Sequence, residues 1–233
     1  MTLGLYDAVS SMAAAEKRLD VIAQNLANSS ARGFKRQVGA VNSFEEVVNG
    51  EVRRGQGLVT TVDFTQGALI ETGNELDLGL LGDGFFSFED GDEVVYTRDG
   101  SLRLTEKGDL VSNAGRPIVW DDHVGQVRPD GEAVRVDTSG DVFQGRDRIG
   151  KLRLVNFQNV ERLFQDENGY FHTRLGMTEE PANATVHAGT YEAANVQPVA
   201  EMVEMILAQR AYQSASNTVS QLADSYRRLT QAR

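Results

Sequence analysis

Two stretches at opposite ends of the chain space their apolar residues in the same way, and that spacing is the strongest constraint on the fold. Near the C-terminus the positions are Met205, Ala208, Tyr212, Ala215, Val219, Leu222, Tyr226 and Leu229. The steps alternate three and four residues, as along a coiled-coil seam. Val199, Met202, Val203 and Ile206 widen the stripe at its start. Near the N-terminus, Leu5, Ala8, Met12, Ala15, Leu19, Ile22 and Leu26 repeat the alternation. No Gly or Pro interrupts the run from Val199 to Arg233, which as one helix would be roughly 50 Å long at about 1.5 Å per residue. A helix with one apolar edge must bury it. Ordinary core helices carry wider and less regular stripes, so the two ends are expected to pair with each other.

The helix limits carry their own signals. Asn195 precedes Pro198 near the first turn of the C-terminal helix, and Glu201 and Glu204 sit close to the positive end of its dipole. The N-terminal helix should end near Asn28, where Asn25-Leu26-Ala27-Asn28-Ser29-Ser30 leads to Gly33. Asn25 and Asn28 read equally as helix-exit residues or as intersubunit hydrogen-bonding groups. Phe34-Lys35-Arg36 then sets an aromatic side chain beside two cations, a combination suited to docking on a neighbouring surface.

Between the helices the character changes twice. Residues 37–75 read as an irregular connector, with a short helical turn at Phe44, Val47 and Val48, breaks at Gly50, Gly55 and Gly57, and an extended segment from Val59 to Phe64. From Leu76 the period is two. Leu76, Leu78 and Leu80 alternate, and Gly82-Asp83-Gly84 turns the chain into Phe85-Phe86-Ser87-Phe88. Asp90-Gly91-Asp92 and Asp99-Gly100 are further turn signals. Later strand candidates are Leu110-Val111, Ile118–Trp120, Val124–Val127, Ala133–Val136, Lys151–Phe157 and Gly169–Thr173. In one strand Phe85 and Phe86 point to opposite faces, which predicts one core residue and one surface or interface residue. The expected fold is therefore α+β: N- and C-terminal helices paired as a coiled-coil-like stalk, plus a central, mostly antiparallel all-β domain. Its divisions are an N-terminal helical segment 1–36, the connector 37–75, the β domain 76–188 and a C-terminal helical segment 189–233.

Charge and composition limit the chemistry. The net charge is −11; the ends, 1–36 and 189–233, carry +2 and 0, so residues 37–188 carry −13. An acidic middle argues against nucleic acid as partner, since phosphate binding needs clustered cations. Cysteine is absent, which removes disulfides and thiol chemistry. No apolar run is long enough to insert in a membrane, and the N-terminus lacks the basic and apolar regions of a Sec-type signal. His123, His172 and His187 share no metal-ligand spacing, and adjacent residues such as Asp121-Asp122-His123 seldom converge on one ion. Gly-x-Ser-x-Gly is missing. Gly82-Asp83-Gly84 lacks the Gly-Lys-Ser/Thr of a phosphate loop and reads as a plain turn. No enzyme, metal or cofactor is expected.

Three groups of residues carry a family resemblance. Gln24-Asn25-Leu26-Ala27-Asn28 followed by Gly33-Phe34-Lys35-Arg36 resembles the N-terminal signature of bacterial flagellar rod and hook proteins. Glu71-Thr72-Gly73-Asn74-Glu75-Leu76-Asp77-Leu78, Gly82–Phe86 and Tyr96-Thr97-Arg98-Asp99-Gly100-Ser101 are similar to their central region. Ala194–Val199, Glu201-Met202-Val203 and Ala208-Gln209-Arg210-Ala211-Tyr212 are similar to their C-terminal signature. The blocks come in family order and span nearly the whole chain. Ala31-Arg32 departs from the usual turn after the first signature. The short length and the run Asp147–Leu152 to Val155-Asn156-Phe157 look more like the proximal than the distal rod protein.

The resemblance implies a structural subunit, exported by the flagellar type III apparatus without a cleaved Sec signal. It would assemble with copies of itself and neighbouring rod proteins into the hollow, periplasm-spanning rod of the basal body. Its assembly interface is expected at Leu5, Met12, Leu19, Ile22, Asn25, Leu26, Asn28 and Phe34 at one end of the chain. At the other end it is expected at Asn195, Met202, Met205, Gln209, Arg210, Tyr212, Val219, Leu222 and Tyr226. Tyr212 reads as core or contact. The reading from another class is a binding module, an acidic β domain on a helical stalk that recognises a protein or glycan.

Overall fold

The computed structural model describes residues 2–48, 51–166, 168–174 and 176–231. The chain divides into two compact units: residues 1–29, 36–63 and 196–233 form one, and residues 30–35 and 64–195 form the other.

The first unit contains two helices and a hairpin. Helix α1 spans Thr2–Ala27 and α2 spans Pro198–Gln231. They pack together and run antiparallel, because Arg18 meets Glu204 while Asn25, further along α1, meets Glu201, further back along α2. Between them in sequence lie strands β1 (Gln37–Val48) and β2 (Glu51–Val62), paired antiparallel in unbroken register from Gln37 opposite Val62 to Val48 opposite Glu51.

This hairpin corrects the expected irregular connector and, with it, the expected helical turn at Phe44, Val47 and Val48, whose backbone lies in β1. A lone two-stranded hairpin is marginal in water; here it packs on α1, with Leu58 buried. Helix α1 buries Ala14 and Val21 in addition to the seam positions Ala8 and Ile22.

The second unit is antiparallel β throughout its paired strands. A short pair joins β3 (Leu69–Glu71) to Thr190–Glu192. Strand β4 (Asp77–Asp83) pairs with Asn183–Ala188 on one side and β7 (Gly100–Leu104) on the other. Strand β5 (Phe85–Asp90) pairs with β6 (Glu93–Thr97) and with Leu154–Phe157. Another sheet is built from Trp120–His123, Val134–Val136, Asp141–Gln144 and Asp147–Leu152. The expected strand at Val124–Val127 is instead irregular backbone, held where Val124 and Gly125 both donate to the Ile149 carbonyl at 2.8 and 2.9 Å. The expected run Lys151–Phe157 is interrupted at Arg153.

Both Phe85 and Phe86 are buried, so the expectation of one surface residue fails. Strand β5 is covered on both faces. Phe86 joins Leu78, Leu80, Phe88, Val95, Leu102 and Leu152 in the main core. Phe85 packs edge-on against Phe64 and Phe171 and lies 6.1 Å from the Phe157 ring. Alternation still holds, but each face meets its own apolar layer, as in strands buried on both sides. Truncation of either ring should be costly: Phe86→Ala is expected to lower the stability of the β unit by about 3–5 kcal/mol, read from urea unfolding by far-ultraviolet circular dichroism.

Candidate assembly surface and its polar anchors

Among the described residues, the most deeply buried carboxylates, one in each unit, are served by adjacent cations. In the helical unit Glu201, on the first turn of α2, is almost wholly buried. Its Oε1 accepts from Arg36 Nε at 2.5 Å and its Oε2 from Asn25 Nδ2 at 3.3 Å. Asn25 also caps the start of β1: its Nδ2 donates to the Gln37 carbonyl at 2.8 Å, and its Oδ1 accepts from the Gln37 amide at 2.8 Å. One amide side chain thus ties α1, β1 and α2. Arg18 Nη2 donates to Glu204 Oε2 at 2.6 Å further along the helix pair, and both side chains are more than a third exposed, so this bridge adds little stability.

In the β unit the carboxylate is Glu192. Its Oε1 accepts from Lys35 Nζ at 2.6 Å and from the Gly67 amide at 2.8 Å. Its Oε2 faces Arg98 Nη1 at 3.5 Å, and its main-chain carbonyl accepts from Gly33 at 2.7 Å. Lys35 is buried, and its Nζ also donates to the Thr65 carbonyl at 2.8 Å. Burial pulls the pKa of the Arg98 guanidinium down from its ordinary value, against the opposing pull of Glu192 and Asp83; it also donates to the Gly82 carbonyl and lies over the Phe85 ring. Gly33 has φ of +65°, and a Cβ there would fall 2.4 Å from the Asp99 amide nitrogen, so only glycine fits. Arg32 binds Asp77 and Ser101 at 3.0 and 2.7 Å and lies over the Tyr191 ring.

The residues expected at an assembly interface are distributed unevenly. Ile22, Asn25 and Phe34 are buried within their own units. Asn25 bonds within the chain, and Asn28 donates from Nδ2 to the Gln24 carbonyl at the exit of α1. Asn195 donates to the carbonyl and hydroxyl of Thr65. Met12, Leu19, Leu26, Met205, Tyr212, Val219 and Leu222 are half-buried, and Met202, Gln209 and Arg210 are exposed. The side chains of Leu5 and Tyr226 lie outside the described residues. Phe34-Lys35-Arg36, expected to dock outward, docks inward. A pair of adjacent cations reads from sequence as a solvated run, and Gly33-Phe34 beside it was the cue for burial.

The exposed apolar surface is concentrated on the first half of α2. Val199 is 75% exposed, and Met202, Val203, Ile206 and Leu207 are each just over half exposed. Five large apolar side chains within nine residues form a contiguous patch, the mark of an interaction surface. Among the described residues no group of three metal-binding side chains converges, and no helix is long and apolar enough to cross a membrane.

A helical unit with an open apolar face, attached to a closed β unit, defines a structural assembly protein. Three family models match it: flagella basal body rod protein over residues 5–35, the flagellar hook protein FlgE/F/G D1 domain over 80–144, and the flagellar basal body rod FlgEFG protein C-terminal model over 187–232. The chain is 32% identical to the flagellar basal-body rod protein FlgF of Caulobacter vibrioides, covering 96% of this chain and 95% of that one. It is 33% identical to FlgF of Mesorhizobium japonicum, covering 95% and 93%. It is 31% identical to the rod protein FlgG of Buchnera aphidicola, covering 99% and 100%. The chain belongs to the flagellar basal-body rod protein family. It is a structural component of the rod, not an enzyme, and assembles with other rod components.

Removing one partner of a buried ion pair leaves the other charge uncompensated. Lys35→Met is expected to destabilise the β unit by about 3–5 kcal/mol, with part of the loss recovered when Glu192→Gln is added. Asn25→Ala should cost the helical unit about 1–3 kcal/mol through unsatisfied groups at Gln37 and Glu201. Urea unfolding of the full chain measures both, and unchanged midpoints would contradict the anchoring roles.

Proposed function

We propose that the chain is a proximal-rod subunit. In this reading its terminal helices pair as a coiled-coil-like stalk and assemble, with copies of the chain and neighbouring rod proteins, into a hollow helical drive shaft that crosses the periplasm. The subunit travels through the flagellar type III export apparatus and needs no cleaved Sec signal. The observation that carries the proximal assignment is the alignment length. The FlgF matches run over 234 and 233 residues, whereas the FlgG match of Buchnera aphidicola runs over 260, more than this chain contains. That relative therefore has internal stretches with no counterpart here. The near-complete coverage by FlgG keeps a distal-rod subunit as the second reading.

The pairing of α1 with α2 supports the stalk, since the half-buried seam positions Met12, Leu19, Met205, Tyr212 and Val219 lie on these two helices. A stripe that is only half covered in one chain is a heterologous interface, and such interfaces grow into open helical assemblies. Expression in Caulobacter vibrioides lacking its FlgF is expected to restore motility, and expression in a strain lacking FlgG is not; the reverse pattern assigns the distal rod. Leu19→Asp and Val219→Asp should each abolish incorporation into isolated basal bodies while the β circular-dichroism signal persists. Normal incorporation of both variants would sink the seam as an assembly element.

A further inference from the structure

Two sheets of the β unit meet edge to edge. Strand Val134–Val136 is the outermost of one sheet, and Asn183–Ala188 is the outermost of the sheet that contains β4 and β7. One bond crosses between these edges, from the Val186 amide to the Thr138 carbonyl at 3.0 Å. Continued from that bond as an antiparallel pair, the two edges would set Val136 against Ala188. They are not joined there. Among the described residues no further strand bond links them, and a cavity of about 490 Å³ opens instead. Arg135, Val136 and Asp137 line it from one edge, and Ala188 and Gly189 from the other. Open strand edges of this kind offer unpaired N–H and C=O groups.

Phe143 and Glu75 complete the lining. Phe143 stands directly opposite Arg135 in the strand register, so the two share a face. Arg135 and Glu75 are both exposed, and neither has a hydrogen bond or ion pair among the described residues. Elsewhere in the unit Arg116, Arg148 and Arg153 each hold a carboxylate. Asp137, the other carboxylate of the cavity, is engaged in its own turn: its Oδ1 accepts from the Ser139 and Asp141 amides at 2.8 and 3.0 Å. We propose that this cavity binds a small zwitterion, an α-amino acid or dipeptide with an apolar side chain. The ligand carboxylate takes the planar fork of Arg135, the ammonium takes Glu75, and the side chain lies on Phe143 and Ala188. The volume falls within the range of ligand cavities, about 300–1,000 Å³. A purely negative ligand would meet two carboxylates against one guanidinium, and a purely positive one would leave Arg135 without a partner. A zwitterion satisfies both charges. Nothing in this assignment depends on the rod reading.

The test is equilibrium dialysis of the full-length chain against radiolabelled L-leucine, L-phenylalanine and dileucine. Saturable binding of at least one of them, at one site per chain, is expected. Leucinamide lacks the carboxylate and N-acetylleucine lacks the ammonium, so each should compete about tenfold less well than leucine. Arg135→Gln and Glu75→Gln should each weaken binding by about the same tenfold factor and leave the unfolding midpoint unchanged. Arg146, an exposed arginine of the same unit outside the cavity, is the control; Arg146→Gln should bind as the unsubstituted chain does. Dileucine binding tighter than the two amino acids names a peptide as the source of the zwitterion, and the reverse names a free amino acid. Absence of saturable uptake of all three overturns the site. So does equal competition by leucinamide or N-acetylleucine, or undiminished binding by Arg135→Gln and Glu75→Gln.

Discussion

Burying a carboxylate costs several kcal/mol unless a cation and hydrogen-bond donors come with it, and each unit of this chain meets that demand at its most deeply buried carboxylate. Glu192 and Glu201 are both almost fully buried, and each takes its cation from one of two neighbouring residues, Lys35 and Arg36. The boundary between the two compact units falls between those residues. Position 35 serves the β unit through Glu192 and Thr65; position 36 serves the helical unit through Glu201. Charge satisfaction of this kind fixes register. Sliding α2 by one residue would take Glu201 away from both Arg36 and Asn25, and a slipped β1 would break the paired bonds between Asn25 and Gln37.

The helices were legible in the sequence because their period is simple and uninterrupted. Seam residues such as Ala8, Ile22 and Ala208 are buried as the alternation of three and four predicts. The β unit was legible as a class, since the turn glycines Gly82 and Gly91 have the positive φ that turn chemistry asks for. Less visible was any segment whose burial depends on a distant neighbour. Residues 37–62 are rich in polar groups and glycine, and only α1 lying alongside makes a hairpin of them. Phe85 was misread for the same reason: alternation assigns faces but does not say that the second face will meet Phe64 and Phe171.

The candidate site was legible in location more than in role. Asn25, Phe34 and Asn195 are tied into their own units by bonds and burial that no spacing rule reports. Of the residues that remain open, Val199, Met202, Val203 and Ile206 entered the sequence reading as a widening of the stripe, and Leu207 did not. That widening is the informative feature. A helix that needed only one partner would have a seam two positions wide in every seven. A helix with a second apolar face has surface left over for a second partner, and the first half of α2 carries such a face.

The division of labour follows from the same physics. The β unit keeps most of the acidic side chains and has its own core, with Leu78, Phe86, Leu102 and Leu152 in one buried cluster. The helical unit is different: its two helices and one hairpin form a thin layer, and isolated pieces of that kind are marginal in water. Extra burial against a neighbouring rod component therefore adds most to stability where the single chain has least. Mass action then adds to the stability of the helices where neighbours are present. A rod subunit benefits from this arrangement, because a self-sufficient helical unit would gain little on joining the shaft, whereas an incompletely buried one is driven to it.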